Sequence, residues 1–208
     1  MAKVIFIQNL GYPYLGAMSL SAFIRKHGHS CDMLIGEKPE DFLPVLVEEK
    51  PDLIAFSMMT GMHQFAQAAA PRFKKNLPDS LIIMGGPHPT YTPEVVGSDG
   101  IDIICRGEGE NALLALCHAL DKEESFDRIP NLWIKKKDGT ILRNAVGPLI
   151  EDLDALPFPD RDLYRRYPKV GSSETQIFMA SRGCPYDCAF CFNHQFKELY
   201  RGLGKMVR

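Results

Sequence analysis

Five short apolar runs, each followed by a stretch with helical spacing, constrain this chain more than any other feature. The runs are "KVIFIQN" (3–9), "SCDMLI" (30–35), "DLIAFS" (52–57), "LIIMGG" (81–86) and "IDIICRG" (101–107). Between them lie "LGAMSLSAFIRKHG" (15–28), "PEDFLPVLVEEK" (39–50), "HQFAQAAAPRFKKN" (63–76), "TPEVVG" (92–97) and "ENALLALCHAL" (110–120). Runs without internal polar alternation suit strands buried on both faces, and strand–helix alternation makes them parallel. The expected fold class is therefore α/β, a doubly wound five-stranded parallel sheet of flavodoxin-like type. In the first helix Leu15, Met18, Ala22 and Phe23 share the predicted inner face, with Gly28 as the stop. Pro44 predicts a late start for the second helix, and Pro71 a kink in the third.

After residue 121 this rhythm ends. "LWIKKKDGTIL" (132–142) reads as a hairpin turning at Asp138-Gly139. Its lysines read as a solvated edge. The proline- and acid-rich stretch 147–168 reads as a linker over a surface, and "QIFMAS" (176–181) as one more strand. The expected organisation is an α/β domain over 1–124, hairpin and linker over 125–172, and a different unit starting at 173–208.

A formal net charge of −2 gives no basic field for a phosphate backbone, so a nucleic-acid partner is not expected. No apolar run approaches the roughly 18 residues of a membrane span, and the N-terminal run is too short for a signal-peptide core. The expected location is cytoplasmic and reducing, where clustered cysteines point to metal or redox chemistry.

In an open α/β sheet, ligands bind beyond the carboxyl ends of the strands. Those ends carry Gln8-Asn9-Leu10-Gly11, Ser57-Met58-Met59-Thr60-Gly61, Gly85-Gly86-Pro87-His88-Pro89-Thr90 and Arg106-Gly107-Glu108-Gly109-Glu110. Four glycine- and hydroxyl-rich loops on one rim favour a ligand site over four ordinary turns. Gly107-x-Gly109-x-x-Ala112 matches a dinucleotide fingerprint in letters, but it follows the fifth strand, and Glu108 and Glu110 would repel a pyrophosphate. Beside a helix N-terminus those two acids are worth about 0.3–1 kcal/mol each against the dipole. Gln8-Asn9 lacks the acids of a phospho-receiver domain, and no P-loop is present. His88 either contacts a ligand or bonds within its own loop. His27 and His29 read as structural, while His63 and His118 have no evident partner. Met58, Met59 and Met62 pad either a ligand face or the core. Cys31, Cys105 and Cys117 read as buried free thiols.

Cys184, Cys188 and Cys191 follow the last strand in a loop with Gly183 and Pro185. Thiolates at this spacing can wrap one metal centre, as in iron–sulfur sites. Three are one short of a full set. Either an iron stays open, or His194 closes a structural zinc site, which would make the chain a non-enzymatic sensor or carrier domain.

Cys184-x3-Cys188-x2-Cys191, with Phe190 before the last cysteine, resembles the signature of radical S-adenosylmethionine (SAM) enzymes. "SMMTG", "GGPHPT", "RGEGE" and "DLDALPFPDRDLY" resemble the branch of that family with an N-terminal cobalamin-binding domain. The resemblance implies a [4Fe-4S] cluster on the three cysteines, on a loop after the first strand of a (β/α) barrel. It implies S-adenosylmethionine at the open iron with Phe190 near its adenine. It also implies cobalamin on the rim, in reach of Asn9, Leu10, Gly11, Ser57, Met58, Thr60, Gly85, Gly86, His88, Gly107 and Glu108. The implied activity is reductive cleavage of S-adenosylmethionine, hydrogen abstraction from a small-molecule substrate by the 5′-deoxyadenosyl radical, and methyl transfer to, or cyclisation at, a substrate carbon. An external donor such as flavodoxin or ferredoxin would supply the electron. Aligned on Gly16, Gly11 and Pro13 stand where cobalamin mutases carry the Asp and His of Asp-x-His-x-x-Gly, so cobalt ligation from this loop is not expected. The chain ends 17 residues after Cys191, where a full barrel would need about 200 more. It therefore reads as the N-terminal part of such an enzyme, inactive alone.

Overall fold

The computed structural model describes residues 1–171 and 176–208. Five parallel strands form as expected: β1 (Lys3–Gln8), β2 (Ser30–Ile35), β3 (Leu53–Ser57), β4 (Leu81–Gly85) and β5 (Ile103–Cys105). Helices α1 (Leu15–Lys26), α2 (Pro39–Glu49), α3 (His63–Asn76), α4 (Pro87–Tyr91) and α5 (Glu110–Asp121) connect them. The hairpin strands β6 (Leu132–Lys135) and β7 (Ile141–Arg143) do not stand apart. They extend the same sheet antiparallel, giving the order β2-β1-β3-β4-β5-β6-β7 among the described residues. The short β5 leaves an apolar edge, and Ile104 takes Trp133 as its cross-strand neighbour. Arg106 and Arg143 both lie over that indole, at 5.1 and 5.2 Å from its centroid.

Successive side chains in a strand point to opposite faces, so each strand feeds two cores. Val4, Phe6, Ala55 and Ile83 meet α1 and α5 through Met18, Ile24, Leu113 and Leu116. Ile5, Ile7, Ile54, Phe56 and Met84 meet α2 and α3 through Phe42, Leu46, Ala66, Ala70 and Phe73. Small alanines on α3 let that helix sit close to the sheet.

The departures from expectation have local causes. Helix α2 starts at Pro39 despite Pro44, because Pro39 is pre-set for the first helical position and the Asp41 carboxylate accepts hydrogen bonds from the backbone N–H of Glu37 (3.0 Å) and Lys38 (2.9 Å). Helix α3 spans His63–Asn76 as expected, with Pro71 inside it. The buried stripe of α1 is Ala17, Met18, Ser21 and Ile24, with Ala22 and Phe23 only half-buried. Ser21 can be buried because its hydroxyl donates to Asp160 Oδ2 at 2.6 Å. The loop after β4 becomes α4, followed by a 3₁₀ turn at Pro93–Gly97. Residues 176–181 form no strand: no neighbouring strand among the described residues accepts their backbone groups. Shorter helices α6 (Pro168–Gly171) and α7 (Asn193–Leu199) complete the fold.

The 147–168 stretch is seated rather than loose. Asp160 also meets Arg25 (3.2 Å), and its N–H donates to the Met18 carbonyl (3.0 Å). Tyr164 is buried; its hydroxyl donates to Gln8 Oε1 (2.7 Å) and accepts from the Tyr14 N–H (2.9 Å). Burial pushes that phenol up to about 12, so it stays a donor at any ordinary pH. Tyr164→Phe removes both bonds and strands the Gln8 acceptor. It is expected to lower stability by about 1–3 kcal/mol in urea unfolding followed by Trp133 fluorescence.

Candidate functional site

The parallel strands end on one edge, and the loops there form the rim. After β1, the buried Gln8 amide donates to the carbonyls of Leu10 and Tyr12, folding the loop back and leaving both side chains exposed. Asn9 Oδ1 is buried without a hydrogen-bond partner among the described residues.

Met58, after β3, turns its side chain into the core, and its backbone ties the rim together: its N–H donates to the Gly85 carbonyl (2.8 Å), and its carbonyl accepts from the His88 N–H (3.0 Å). Gly86 has φ +94°, and a Cβ there would lie 2.9 Å from both Met58 N and Met58 O. Only glycine fits such a position.

His88 is buried on α4, with Nδ1 3.2 Å from Thr60 Oγ1 and its ring stacked on His63 (centroids 3.8 Å apart, planes 14°). The Gly61 N–H donates to His63 Nδ1 at 3.1 Å, so His63 has a partner that its sequence position did not reveal. Burial, helped by the neighbouring His63, pulls the His88 pKa below the usual histidine value.

The loop after β5 is engaged by the protein itself. Gly107 has φ +76°, and a Cβ there would lie 1.9 Å from the hydroxyl oxygen of the buried Tyr200. That oxygen accepts from the N–H of Glu108 (2.8 Å) and from Asn131 Nδ2 (3.1 Å). Glu108 accepts from the Ile150 N–H (2.9 Å), from Arg182 (3.2 Å) and from Arg208. Glu110, buried at the start of α5, pairs with the other Arg182 nitrogen at 2.5 Å. Burial works against the Arg182 charge, but Glu110 and Glu108 outweigh it and raise its pKa.

A cavity of about 440 Å³ opens between these loops. Its floor and walls are apolar, from Phe6, Ala55, Ile83, Leu15, Leu20 and Leu113. Ser57, Gly85, Gly86, Gly107 and Glu108 line its rim. Met179, Ser181, Arg182, Gly183 and Phe196 cover it from the cysteine-bearing segment. Asn9, Leu10, Gly11, Met58, Thr60 and His88 lie outside this lining. Cys105 lines the cavity, but burial pushes its thiol up to about 12, which makes it an inert wall.

Cys184 and Cys191 are half-buried and Cys188 is exposed, with the Cys191 N–H bonded to the Cys188 carbonyl at 3.0 Å. Lys197 on α7 holds the loop by donating to the carbonyls of Pro185 (3.1 Å) and Tyr186 (3.0 Å) and to Asp187 (2.6 Å). Phe190 is almost fully exposed, while Phe192 packs on Tyr91 of α4 (5.0 Å). His194 Nδ1 sits 2.5 Å from the Cys191 carbonyl oxygen. Among the described residues, no three ligating side chains gather around a single-ion position. A cluster places each thiolate on a separate iron, so an exposed three-thiol loop suits it in donor chemistry.

The match to a family model, "B12 binding domain", runs over residues 9–117, just over half of the chain. The chain belongs to the B12-binding domain family. It is 31% identical over 91% of its length to an uncharacterised methyltransferase of Pyrococcus horikoshii, covering 43% of that protein. It is 27% identical over 91% to the anaerobic magnesium-protoporphyrin IX monomethyl ester cyclase of Synechocystis sp., covering 40% of it. The chain thus spans less than half the length of these relatives. In fold it matches the cobalamin-dependent S-adenosylmethionine radical enzyme OxsB (TM-score 0.77, 22% identity, 92% of this chain, 28% of that one). It also matches the methyltransferase TsrM from Kitasatospora setae (TM-score 0.68, 16% identity, 93% and 41%). No described helix is long and apolar enough to cross a membrane.

The apolar cavity, with the Ser57 hydroxyl and the Gly85-Gly86 backbone at its edge, suits the apolar face of a corrin, while the orphaned Asn9 acceptor lies outside that lining. His88 gives the rim an acid limit. Its pKa is lower in the fold than in the unfolded chain, so its contribution is complete above about pH 6.5 and is lost as pH falls below that value toward the folded pKa. Buried His29 adds in the same direction. The midpoint of thermal unfolding is expected to fall between pH 6.5 and 5, and His88→Gln to flatten part of that slope in calorimetric scans.

Proposed function

We propose that this chain is the corrin- and cluster-holding part of a cobalamin-dependent radical SAM enzyme that transfers a methyl group to a carbon of a small-molecule substrate. The observation that carries this reading is the shared cavity: the rim of the B12-binding fold forms one side, and the segment bearing Cys184, Cys188 and Cys191 covers it. The cavity is bordered by residues beside the cysteines, Ser181 to Gly183, so a cluster on that loop and a corrin on the rim would lie on neighbouring surfaces.

In this reading Ser57, Gly85 and Gly86 hold the corrin, and Asn9 offers it an acceptor. The three cysteines hold the cluster, and Phe190 lies against S-adenosylmethionine. When bound, the cluster and corrin supply reductive cleavage of S-adenosylmethionine and a transferable methyl group. The chain's own residues bind, orient and exclude water: Leu15, Leu20 and Leu113 keep the cavity apolar. Gln8 and Tyr164 fix the loop that carries no histidine for cobalt. An external flavodoxin- or ferredoxin-type donor would deliver the electron to the exposed Cys188 side. The Pyrococcus relative's description supports methyl transfer, and the cyclase relatives support ring closure as the second reading.

Anaerobic reconstitution with iron and sulfide is expected to give broad visible charge-transfer absorption that Cys188→Ala abolishes. Hydroxocobalamin titration is expected to give saturable spectral changes at one corrin per chain. Stoichiometric zinc dependent on His194, or a flat cobalamin titration, would reject the respective half of the assignment.

A further inference from the structure

The four-residue stretch Gly107–Glu110 does not face an open rim. A glycine that leaves room for a phenol, a hydroxyl that takes two N–H groups, and two carboxylates sharing one guanidinium all join it to the segment after residue 181. Arg182 stands two residues before Cys184. Its N–H donates to the Arg208 carbonyl (2.9 Å), and the Arg208 N–H donates back (3.1 Å), closing the cysteine segment into a loop at its base. A second attachment lies beyond the last cysteine, where Phe192 packs on Tyr91. Burial, with Cys191 nearby, pushes the Tyr91 phenol up to about 12.

We propose that Arg182 is a positioning residue: its paired contacts with Glu108 and Glu110, together with Tyr200 seated over Gly107, dock the three-cysteine loop on the α/β rim and set its distance from whatever occupies the cavity. A single attachment would leave the loop free to pivot. Attachment before Cys184 and after Cys191 fixes both its height and its rotation. The guanidinium suits this task because its fork holds two carboxylates in fixed directions, which an ammonium cannot do. Glu108 and Glu110 also line the cavity, so an occupant touches the same groups that hold the loop. The positioning role rests on the cofactor assignment above, while the docking itself does not.

Hydrogen exchange of the chain without cofactors tests the docking. In Arg182→Met, amides in residues 182–208 are expected to lose protection about tenfold, while β1 and β3 keep theirs. Arg182→Lys is expected to restore part of it. If Glu110, left unpaired, unfolds the domain, the double variant Arg182→Met/Glu110→Gln leaves no buried lone charge at that position and reads the same amides. Unchanged protection of 182–208 in the single or the double variant overturns the proposal.

The positioning is read in protein loaded with cluster and cob(II)alamin, from the dipolar coupling between reduced cluster and cobalt. The wild type is expected to give one narrow distance, Arg182→Met a broad distribution, and Arg182→Lys an intermediate one; the same distribution in all three overturns the role. A wild type that takes up neither cofactor overturns the assignment on which the positioning rests, and the exchange data alone then decide the docking.

Discussion

A parallel ladder buried on both faces can offer a ligand only its edge, and the rest of this molecule is arranged around that constraint. Once Val4, Phe6 and Ala55 face α1 and α5, and Ile5, Ile7 and Phe56 face α2 and α3, the sheet has no free face. The carboxyl ends of β1, β3, β4 and β5 are what remain. Glycines at those ends let the backbone and neighbouring side chains approach closely, as Gly107 does for Tyr200. The Gly86 backbone runs so close to Met58 that no side chain fits between them.

The same rim serves two purposes. It walls an apolar cavity that runs from the ends of β3 and β4 to the β5 loop, with the unpartnered Asn9 acceptor outside that lining. At the β5 loop, two carboxylates that would repel an anionic ligand pair with arginines from the cysteine segment. Glu108 and Glu110 read in the sequence as rim groups or as helix-dipole partners. Glu110 does open α5, but both acids also reach a residue more than seventy positions away.

Much of the fold was legible because its signals are local. Apolar runs, their helical partners, and Asp138-Gly139 at a hairpin turn each announce themselves within a dozen residues. Misreadings came where a distant group changed the local rule. The inner face read as Leu15, Met18, Ala22 and Phe23 omits Ser21, which is buried because Asp160 supplies its partner. Residues 176–181 read as a strand, but a strand needs a neighbour, and composition cannot supply one. His63 gained its role only when His88 folded onto it.

By itself, the sequence determined the α/β class, the placement of four ligand-ready loops on one edge, and three thiols spaced for a metal centre, because period and spacing act along the chain. Only the tertiary structure decided that the hairpin completes the sheet, that the proline-rich stretch locks onto α1 through Tyr164 and Asp160, and that the cysteine segment docks on the β5 loop through Arg182 and Tyr200. Those outcomes depend on charges, hydroxyls and backbone groups brought together from distant positions. Their energies exist only once burial has removed the water that would otherwise satisfy each group separately.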